Sequence, residues 1–444
     1  MNKLKNNLLI KNIFILLVSG VLTKIFGMIS KILYTRIAGI KIISLYTLIV
    51  PTLMLIISIT QFSFPISISK LSAEGKYKDK KLLSNAYFIG IIINIISFIT
   101  IILLSKTVAN LLHNKSLYIP ILSISFIIFF TTTSSIQRGF LHGKEDMLPT
   151  AASNVIEEIV KILLIIIVFP IVVLKGSIIS VTFLILFNII IELVSISIMS
   201  NVIERKYLKH DKFKYSIDKT IIKDILKISV PTTMTRLISG IGFFLEPIIL
   251  TNILLKTGYN LNYITLEYGI INSYVIPLLS LPTFFSSIIA SALLPNLTKI
   301  YKDKKINNFN NKLFKLMSLS LVIGLICLMF ILAFTKQILN IIYSVNLGIN
   351  YIYLIGPFFL IIYMQPALAA AMQAMDKTDK LFKISVISII TKYIVLTITG
   401  LLGFGIKCLI FSMITGIIIT TLLVLITVLK EINKKTKMVF ISKT

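Results

Sequence analysis

The stretch that decides the fold is NIFILLVSGVLTKIFGMISKILYTR, residues 12–36. It is long enough to cross a bilayer, for which about 20 apolar residues suffice. Lys24 and Lys31 interrupt it, and together with Gly20 and Gly27 they recur at a spacing that places all four on one face of a helix. An ammonium group at membrane depth costs at least ~2.5–3.5 kcal/mol on insertion scales. This first-helix stripe therefore faces water, a counter-charge or an anionic substrate.

The composition is that of a polytopic membrane protein. Of the 444 residues, 56% are hydrophobic and 14% are charged, and the mean hydropathy is +0.96; soluble proteins carry roughly 25% charged residues. The net charge of +28 does not indicate nucleic acid, because the cations lie in short loops between apolar segments. We expect membrane lipids around the chain, no cofactor and no metal, since the three His lie in separate loops.

Twelve apolar segments predict an all-α membrane fold. Each is interpreted as a helix, because in lipid only helices and closed barrels satisfy their backbone, and the segments lack the alternating pattern of a barrel. The approximate spans are 12–34, 42–64, 82–105, 116–136, 151–174, 176–200, 227–255, 266–291, 312–335, 347–370, 382–402 and 404–429.

The basic residues predict that both termini are cytoplasmic. With the N-terminus placed inside, the cytoplasmic segments carry 32 of the 45 Lys and Arg and the outer loops carry 8. Cytoplasmic loops of membrane proteins carry this kind of excess. The first segment is interpreted as a retained helix and not as a removed signal peptide, because Lys24 interrupts it and no small-residue cleavage site follows.

The two halves of the chain repeat. The pentapeptide YKDKK occurs at 77–81 after the second segment and again at 301–305 after the eighth. A further match aligns Lys161 in the fifth segment with Lys392 in the eleventh. Six helices per half give both halves the same orientation in the membrane. We predict an N-terminal lobe at 1–200, a basic cytoplasmic linker at 201–223, a C-terminal lobe at 224–430 and a basic cytoplasmic tail at 431–444.

Charged residues within the apolar segments are the candidate functional residues, because such residues normally face a bundle interior or an aqueous cavity. Lys24 and Lys31, with Arg36 at the outer end of the same segment, share their helix with no acid. Either Glu192 or Glu246 neutralises these cations across helices, or the charge is left for a ligand.

Two further groups of charges lie in the fifth and seventh segments. Glu157 and Glu158 are near enough in sequence for Lys161 to pair with either, which favours a local structural pair. Arg236 is one of only four Arg against 41 Lys. Its planar guanidinium suits bidentate contact with phosphate, so we predict that it faces the substrate cavity.

The sequence does not predict an enzyme. It contains no P-loop, no nucleophile elbow and no His cluster. We therefore assign no catalytic residue.

Two stretches resemble the stage V sporulation protein B group, which lies in the multidrug/oligosaccharidyl-lipid/polysaccharide (MOP) exporter superfamily beside the MurJ-type lipid II flippases. They are PTLMLIISITQFSFPISISKLSAEG at 51–75 and QRGFLHGKEDMLPTAASNVIEEIVKI at 137–162. The residues that match this group are Pro65, Lys70, Glu74, Gln137, Arg138, Gly139, Pro149 and Glu157.

The resemblance implies two six-helix lobes with a central cavity that opens alternately to each side of the bacterial cytoplasmic membrane. It also implies a polyprenyl-diphosphate-linked glycan as the substrate, above all the peptidoglycan precursor lipid II, in cell-wall or spore-cortex synthesis. In such flippases, cations on the first and neighbouring helices hold the diphosphate, and Lys24, Lys31, Arg36 and Arg236 match them in kind. Glu192 and Glu246 would then serve as counter-charges or couple an ion. Relatives commonly have two further C-terminal helices, whereas this sequence ends at Thr444 after the twelfth segment.

Two other functions remain open. A cation-coupled drug or metabolite exporter of the same fold would depend most on Glu192 and Glu246. A membrane scaffold would recruit cell-wall synthesis proteins through its basic loops, but it has no reason to keep cations in a membrane-spanning helix, so the first-helix stripe disfavours it.

Overall fold

The computed structural model describes residues 2–208, 217–303 and 305–441. These residues form helices and no strand, as the sequence predicts. A π-helical turn, Ile271–Val275, joins the ninth and tenth helices. The helices are α1 (Asn2–Thr60), α2 (Phe64–Glu74), α3 (Asp79–Leu111), α4 (Tyr118–Gly143), α5 (Met147–Ile167), α6 (Phe169–Val173), α7 (Ser177–Tyr207), α8 (Lys219–Lys256), α9 (Leu261–Ile270), α10 (Ile276–Lys302), α11 (Ile306–Ala333), α12 (Thr335–Tyr343), α13 (Ile349–Ala374), α14 (Thr378–Leu401) and α15 (Lys407–Ile441).

Ten stretches of the described residues are long and apolar enough to cross a bilayer. The first, Val18–Glu74, covers most of the first predicted segment and all of the second. The fifth predicted segment corresponds to α5 and α6, and α5 is not among the ten because three charged residues, Glu157, Glu158 and Lys161, lie in its middle. The ten stretches and α5 together account for the twelve predicted segments.

Gly39 divides α1 into two helices. Its backbone has φ 67° and ψ 171°, in the region that favours glycine. The rings of Tyr34 and Tyr46, on either side of it, are 5.8 Å apart between centroids. Twelve residues of straight helix would separate them by roughly 18 Å along the axis. The chain therefore folds back sharply at Gly39, and the loop predicted between the first two segments is reduced to this bend.

The described chain divides into two compact units, residues 1–248 (unit 1) and 249–444 (unit 2). In unit 1, α4 packs against α2, α3 and α7, and α5 packs against α7. In unit 2, α13 packs against α10, α11 and α15, and α14 packs against α15. These are the same pairs in the order of the predicted repeat, with α4 and α13 as the fourth membrane segments of the two halves.

The division between the units falls within α8, whose first part packs in unit 1. Ile221 and Ile225 are fully buried in a core with Phe64 and Phe140. One turn later, the Ser229 hydroxyl lies 2.7 Å from that of Ser67, at hydrogen-bond distance. Residues 209–216 of the predicted linker and 442–444 of the predicted tail lie outside the described residues, and the predicted lobe boundaries stay a prediction.

In each half, an ion pair joins the sixth membrane segment to the start of the fifth. In unit 1, Nζ of Lys206 on α7 is 2.7 Å from Oδ2 of Asp146, just before α5. In unit 2, Nζ of Lys380 in the first turn of α14 is 2.5 Å from Oε1 of Glu431 on α15. The repeat therefore keeps the contact and exchanges the signs of its charges.

Polar contacts hold the start of α8. The backbone N–H of Asp218 donates to the Asn85 side chain at 2.8 Å, and the Asp218 carboxylate accepts from the Thr220 hydroxyl at 2.6 Å. The hydrogen bonds from Thr220 hold the pKa of the Asp218 carboxyl below its usual range. On the neighbouring loop, the hydrogen bond to Asp224 raises the pKa of Lys76 above its usual range.

Candidate functional site

The first-helix stripe faces α5. The Ser30 hydroxyl, one turn after Gly27, donates to Oε2 of Glu158 at 3.3 Å. A Cβ placed on Gly27 would lie 3.5 Å from Oε1 of the same carboxylate, so this carboxylate packs directly on the backbone of α1. The stripe that the sequence places on one helical face therefore meets a counter-charge, and that charge comes from α5.

The Glu158 carboxylate pairs with one ammonium group, and a second ammonium group acts on that partner. Nζ of Lys161, one turn later on α5, is 3.6 Å from Oε2 of Glu158, which is the local pair that the spacing predicts. Lys31 follows Ser30 on α1, is partly buried, and lies within electrostatic range of Lys161. This end of the site therefore contains one carboxylate and two cations.

The adjacent acid, Glu157, pairs with a residue of α4 and not with Lys161. The Arg138 guanidinium forms an ion pair with the Glu157 carboxylate and donates to Oδ1 of Asn154 at 2.7 Å and to Oγ of Ser195 at 3.3 Å. The planar fork of Arg presents five N–H donors in a fixed geometry and can satisfy several acceptors at once. These contacts tie α4, α5 and α7 together through one side chain.

Glu192 on α7 completes the anionic end. Its carboxylate acts electrostatically on Glu157, and its Oε2 is buried without a hydrogen-bond partner in the described structure. Three cations and three carboxylates thus share the cluster, but unevenly. The Arg138 end holds two carboxylates and one cation, and the Lys31 end holds two cations and one carboxylate. We call this group the α1–α5 cluster; its members are Lys31, Arg138, Glu157, Glu158, Lys161 and Glu192.

The other predicted site residues lie elsewhere in unit 1. Lys24 is one turn before Gly27 on the stripe and is exposed, as is Arg36 at the end of the same helix. Arg236 on α8 is also exposed, whereas Glu246 on that helix is buried, with 4% of its surface accessible. The structure therefore brings Lys31 and Glu192 into one cluster, and places Arg236 and Glu246 on a different helix.

The residues that carry the family resemblance have visible structural roles. Gln137 donates to the Ser200 hydroxyl at 2.8 Å. A Cβ on Gly139 would lie 2.8 Å from the carbonyl O of Phe64, and one on Gly143 would lie 2.5 Å from that of Ser69, so glycine allows α2 to approach α4 closely. Pro65 is in the first turn of α2 and the buried Pro149 is in that of α5, whereas Lys70 and Glu74 are exposed.

An apolar groove of about 440 Å³ lies between α1 and α5. Val18 and Leu22 line it from α1, and Ala152, Val155 and Ile156 line it from α5. The groove and the α1–α5 cluster thus occupy successive stretches of the same two helices. An amphiphile with an anionic head and an apolar chain has chemistry that matches both parts.

Reasoning from sequence missed three residues that form polar contacts in the α1–α5 cluster: Ser30, Asn154 and Ser195. Asn154 and Glu157 are three residues apart on α5, a spacing that places them on neighbouring turns, so this signal was present. Ser195 has the same spacing from Glu192 on α7. No group of His, Cys, Asp and Glu that could hold a metal ion occurs within the described part of the chain.

A family model described as polysaccharide biosynthesis protein matches residues 9–301. Stage V sporulation protein B of Bacillus subtilis (strain 168) is 28% identical over 438 residues, covering 95% of this chain and 83% of that protein. Sporulation protein YkvU of the same strain is 23% identical over 437 residues, covering 96% of each. The resemblance carried by residues 51–75 and 137–162 is confirmed.

Solved structures of MOP superfamily transporters share the fold. A multidrug resistance MATE family transporter in its inward-facing conformation matches with a TM-score of 0.74 and 14% identity, over 94% of this chain and 96% of that one. A MOP superfamily transporter from Pyrococcus furiosus matches with a TM-score of 0.59 and 14% identity, over 95% of each chain. The MATE-like, multi-pass membrane fold is therefore confirmed.

Proposed function

Because this chain belongs to the polysaccharide biosynthesis protein family, we propose that it flips a lipid-linked glycan with a diphosphate head group across the cytoplasmic membrane. The observation that carries this proposal is the α1–α5 cluster, which shares its two helices with an apolar groove. Lysine ammonium groups bind phosphate oxygens, and the groove suits part of a prenyl chain. No bond is made or broken, so the protein acts as a transporter and not as an enzyme.

The proposed substrate is lipid II, for cell-wall or spore-cortex synthesis. The names of two relatives support a role in sporulation. We assign the diphosphate to Lys31, with Lys24, Arg36 and Arg236 as further cations that contact the head group during alternating access. Glu192 and Glu246 are assigned to the coupling ion or to counter-charges, and cell-wall synthesis proteins are the proposed protein partners.

Transport is tested in proteoliposomes with fluorescent lipid II, by its accessibility to a membrane-impermeant quencher. We expect Lys31→Gln to slow transport at least about tenfold, since a hydrogen bond to a charged group contributes about 1.5–3 kcal/mol. Lys41→Gln is the matched control, because Lys41 is an exposed lysine two residues after Gly39 and outside the site. Equal transport by the Lys31 variant and the control would rule out the assignment.

The substrate class is tested in the same vesicles. A labelled undecaprenyl diphosphate that carries a different glycan separates a preference for lipid II from recognition of the diphosphate alone. A labelled neutral glycolipid should not be transported. Transport of the neutral lipid at the rate of lipid II would favour an exporter of broad specificity.

A further inference from the structure

Glu158 occupies the position where an anionic ligand of α1 would lie. Its carboxylate is within 3.3 Å of the Ser30 hydroxyl and 3.6 Å of the Lys161 ammonium, and it packs on the backbone of α1 at Gly27. Only 19% of the Glu158 side chain is exposed. One carboxylate thus occupies the Lys161 ammonium, which a phosphate group would otherwise use.

One carboxylate does not balance the charge at this end of the cluster. Lys31 lies within electrostatic range of another cation, Lys161. The charge of Glu157 is already paired with the Arg138 guanidinium. Glu192 acts on Glu157 and therefore also belongs to the far end of the cluster. The local excess of positive charge suits a ligand that carries more negative charge than one carboxylate.

We propose that Glu158 is a resident counter-ion which the diphosphate of the substrate displaces, and that Lys161 then joins Lys31 in binding the phosphate oxygens. The inference rests on the proposed function and adds two residues to it. It explains why an acid and a lysine share one turn of α5 directly opposite the first-helix stripe.

The exchange of Glu158 for the diphosphate follows from the cost of leaving ammonium groups unpaired in the membrane. Without a counter-ion, two ammonium groups would stay unpaired between substrate molecules, which is unfavourable at membrane depth. Glu158 lowers that cost but competes with the ligand for the same cations. A diphosphate carries more charge than a carboxylate and displaces it, whereas a monophosphate gains less from the same exchange. Selectivity for the diphosphate follows from this competition.

The test measures binding of two probes, undecaprenyl diphosphate and undecaprenyl monophosphate, to the full-length protein in nanodiscs. We expect Glu158→Gln to bind the diphosphate about tenfold more tightly, because a competing charged partner worth about 1.4 kcal/mol is removed. Lys161→Gln should bind it at least about tenfold more weakly. Lys392→Gln, at the repeat-equivalent position in unit 2, is the matched control and should bind as the unaltered protein does.

The outcomes separate this inference from the proposed function. Failure of the unaltered protein to bind the diphosphate would overturn both. Normal binding with unchanged or weaker affinity in Glu158→Gln would overturn the displacement alone and indicate a structural ion pair. Should Glu158→Gln fail to fold, Ser30→Ala removes one hydrogen bond to Glu158 and leaves every charge in place. Affinity should then rise a few-fold, and an unchanged affinity would again overturn the displacement.

Discussion

Removal of the Arg138 guanidinium should destabilise unit 1 more than any other single charge change in the α1–α5 cluster. Arg138→Gln leaves the Glu157 carboxylate beside Glu192 with no cation, and it removes donors to Asn154 and Ser195. The side chains of Arg138 and Glu157 are 25% and 16% exposed. We therefore expect a loss of about 2–3 kcal/mol, between the ~0–1 kcal/mol of an exposed pair and the ~3–5 kcal/mol of breaking a fully buried one.

The free energy of unfolding can be measured in mixed micelles by far-ultraviolet circular dichroism, which suits a chain without Trp. The double variant Arg138→Gln with Glu157→Gln should lose less than the sum of the single variants, by about 1–2 kcal/mol, because the neutral amide no longer needs a cation. Additive losses, or a loss below about 0.5 kcal/mol for Arg138→Gln, would show that this ion pair does not stabilise the fold.

Three further changes test other parts of the fold. Gly143→Ala places a Cβ 2.5 Å from a backbone oxygen and should cost about 1–3 kcal/mol of stability. Gly20→Ala is the control, because a Cβ at Gly20 would have no atom within 4 Å. It should stabilise the protein by up to about 1 kcal/mol in the same unfolding measurement. The lowered pKa of Asp218 means that its contribution at the start of α8 is present above about pH 4 and is lost as the pH falls through the folded-state value. Amide protection factors in the first turn of α8, which correct each exchange rate for its intrinsic pH dependence, should therefore fall only below that range, and a fall already near neutral pH would contradict it. Lys206→Glu places two acids together and should cost about 1 kcal/mol, and the added change Asp146→Lys should restore the loss by reversing the pair.

The sequence predicted which face of α1 carries the charged residues but not which helix packs against that face. Helical periodicity places Gly27 and Lys31 on one side, because it depends only on residues within the helix. Which helix lies opposite depends on tertiary packing, and periodicity within one helix carries no such information. The sequence therefore suggested Glu192 or Glu246 as partners, and the structure adds Glu158, whose carboxylate accepts from Ser30 of α1.

Local spacing predicted the Lys161 ion pair but left its partner open, for a related reason. Glu157 and Glu158 are both within reach of Lys161 along the helix. In the structure only Glu158 pairs with Lys161, because Arg138 of α4 takes Glu157. An Arg with several donors competes well for a carboxylate. The sequence pattern along one helix does not show that Arg138 of α4 lies next to α5.

Two similar halves of one chain create a sorting problem while the helices enter the membrane, since α7 and α15 could each dock on the wrong partner. At the start of α14, Lys206 would meet Lys380, and at the start of α5, Glu431 would meet Asp146. Both mismatches place like charges together, which opposes the wrong pairing. The exchange of signs between the halves thus favours docking of α7 on α5 and of α15 on α14. Charge can in this way distinguish the two halves during biogenesis, even where their apolar faces are alike.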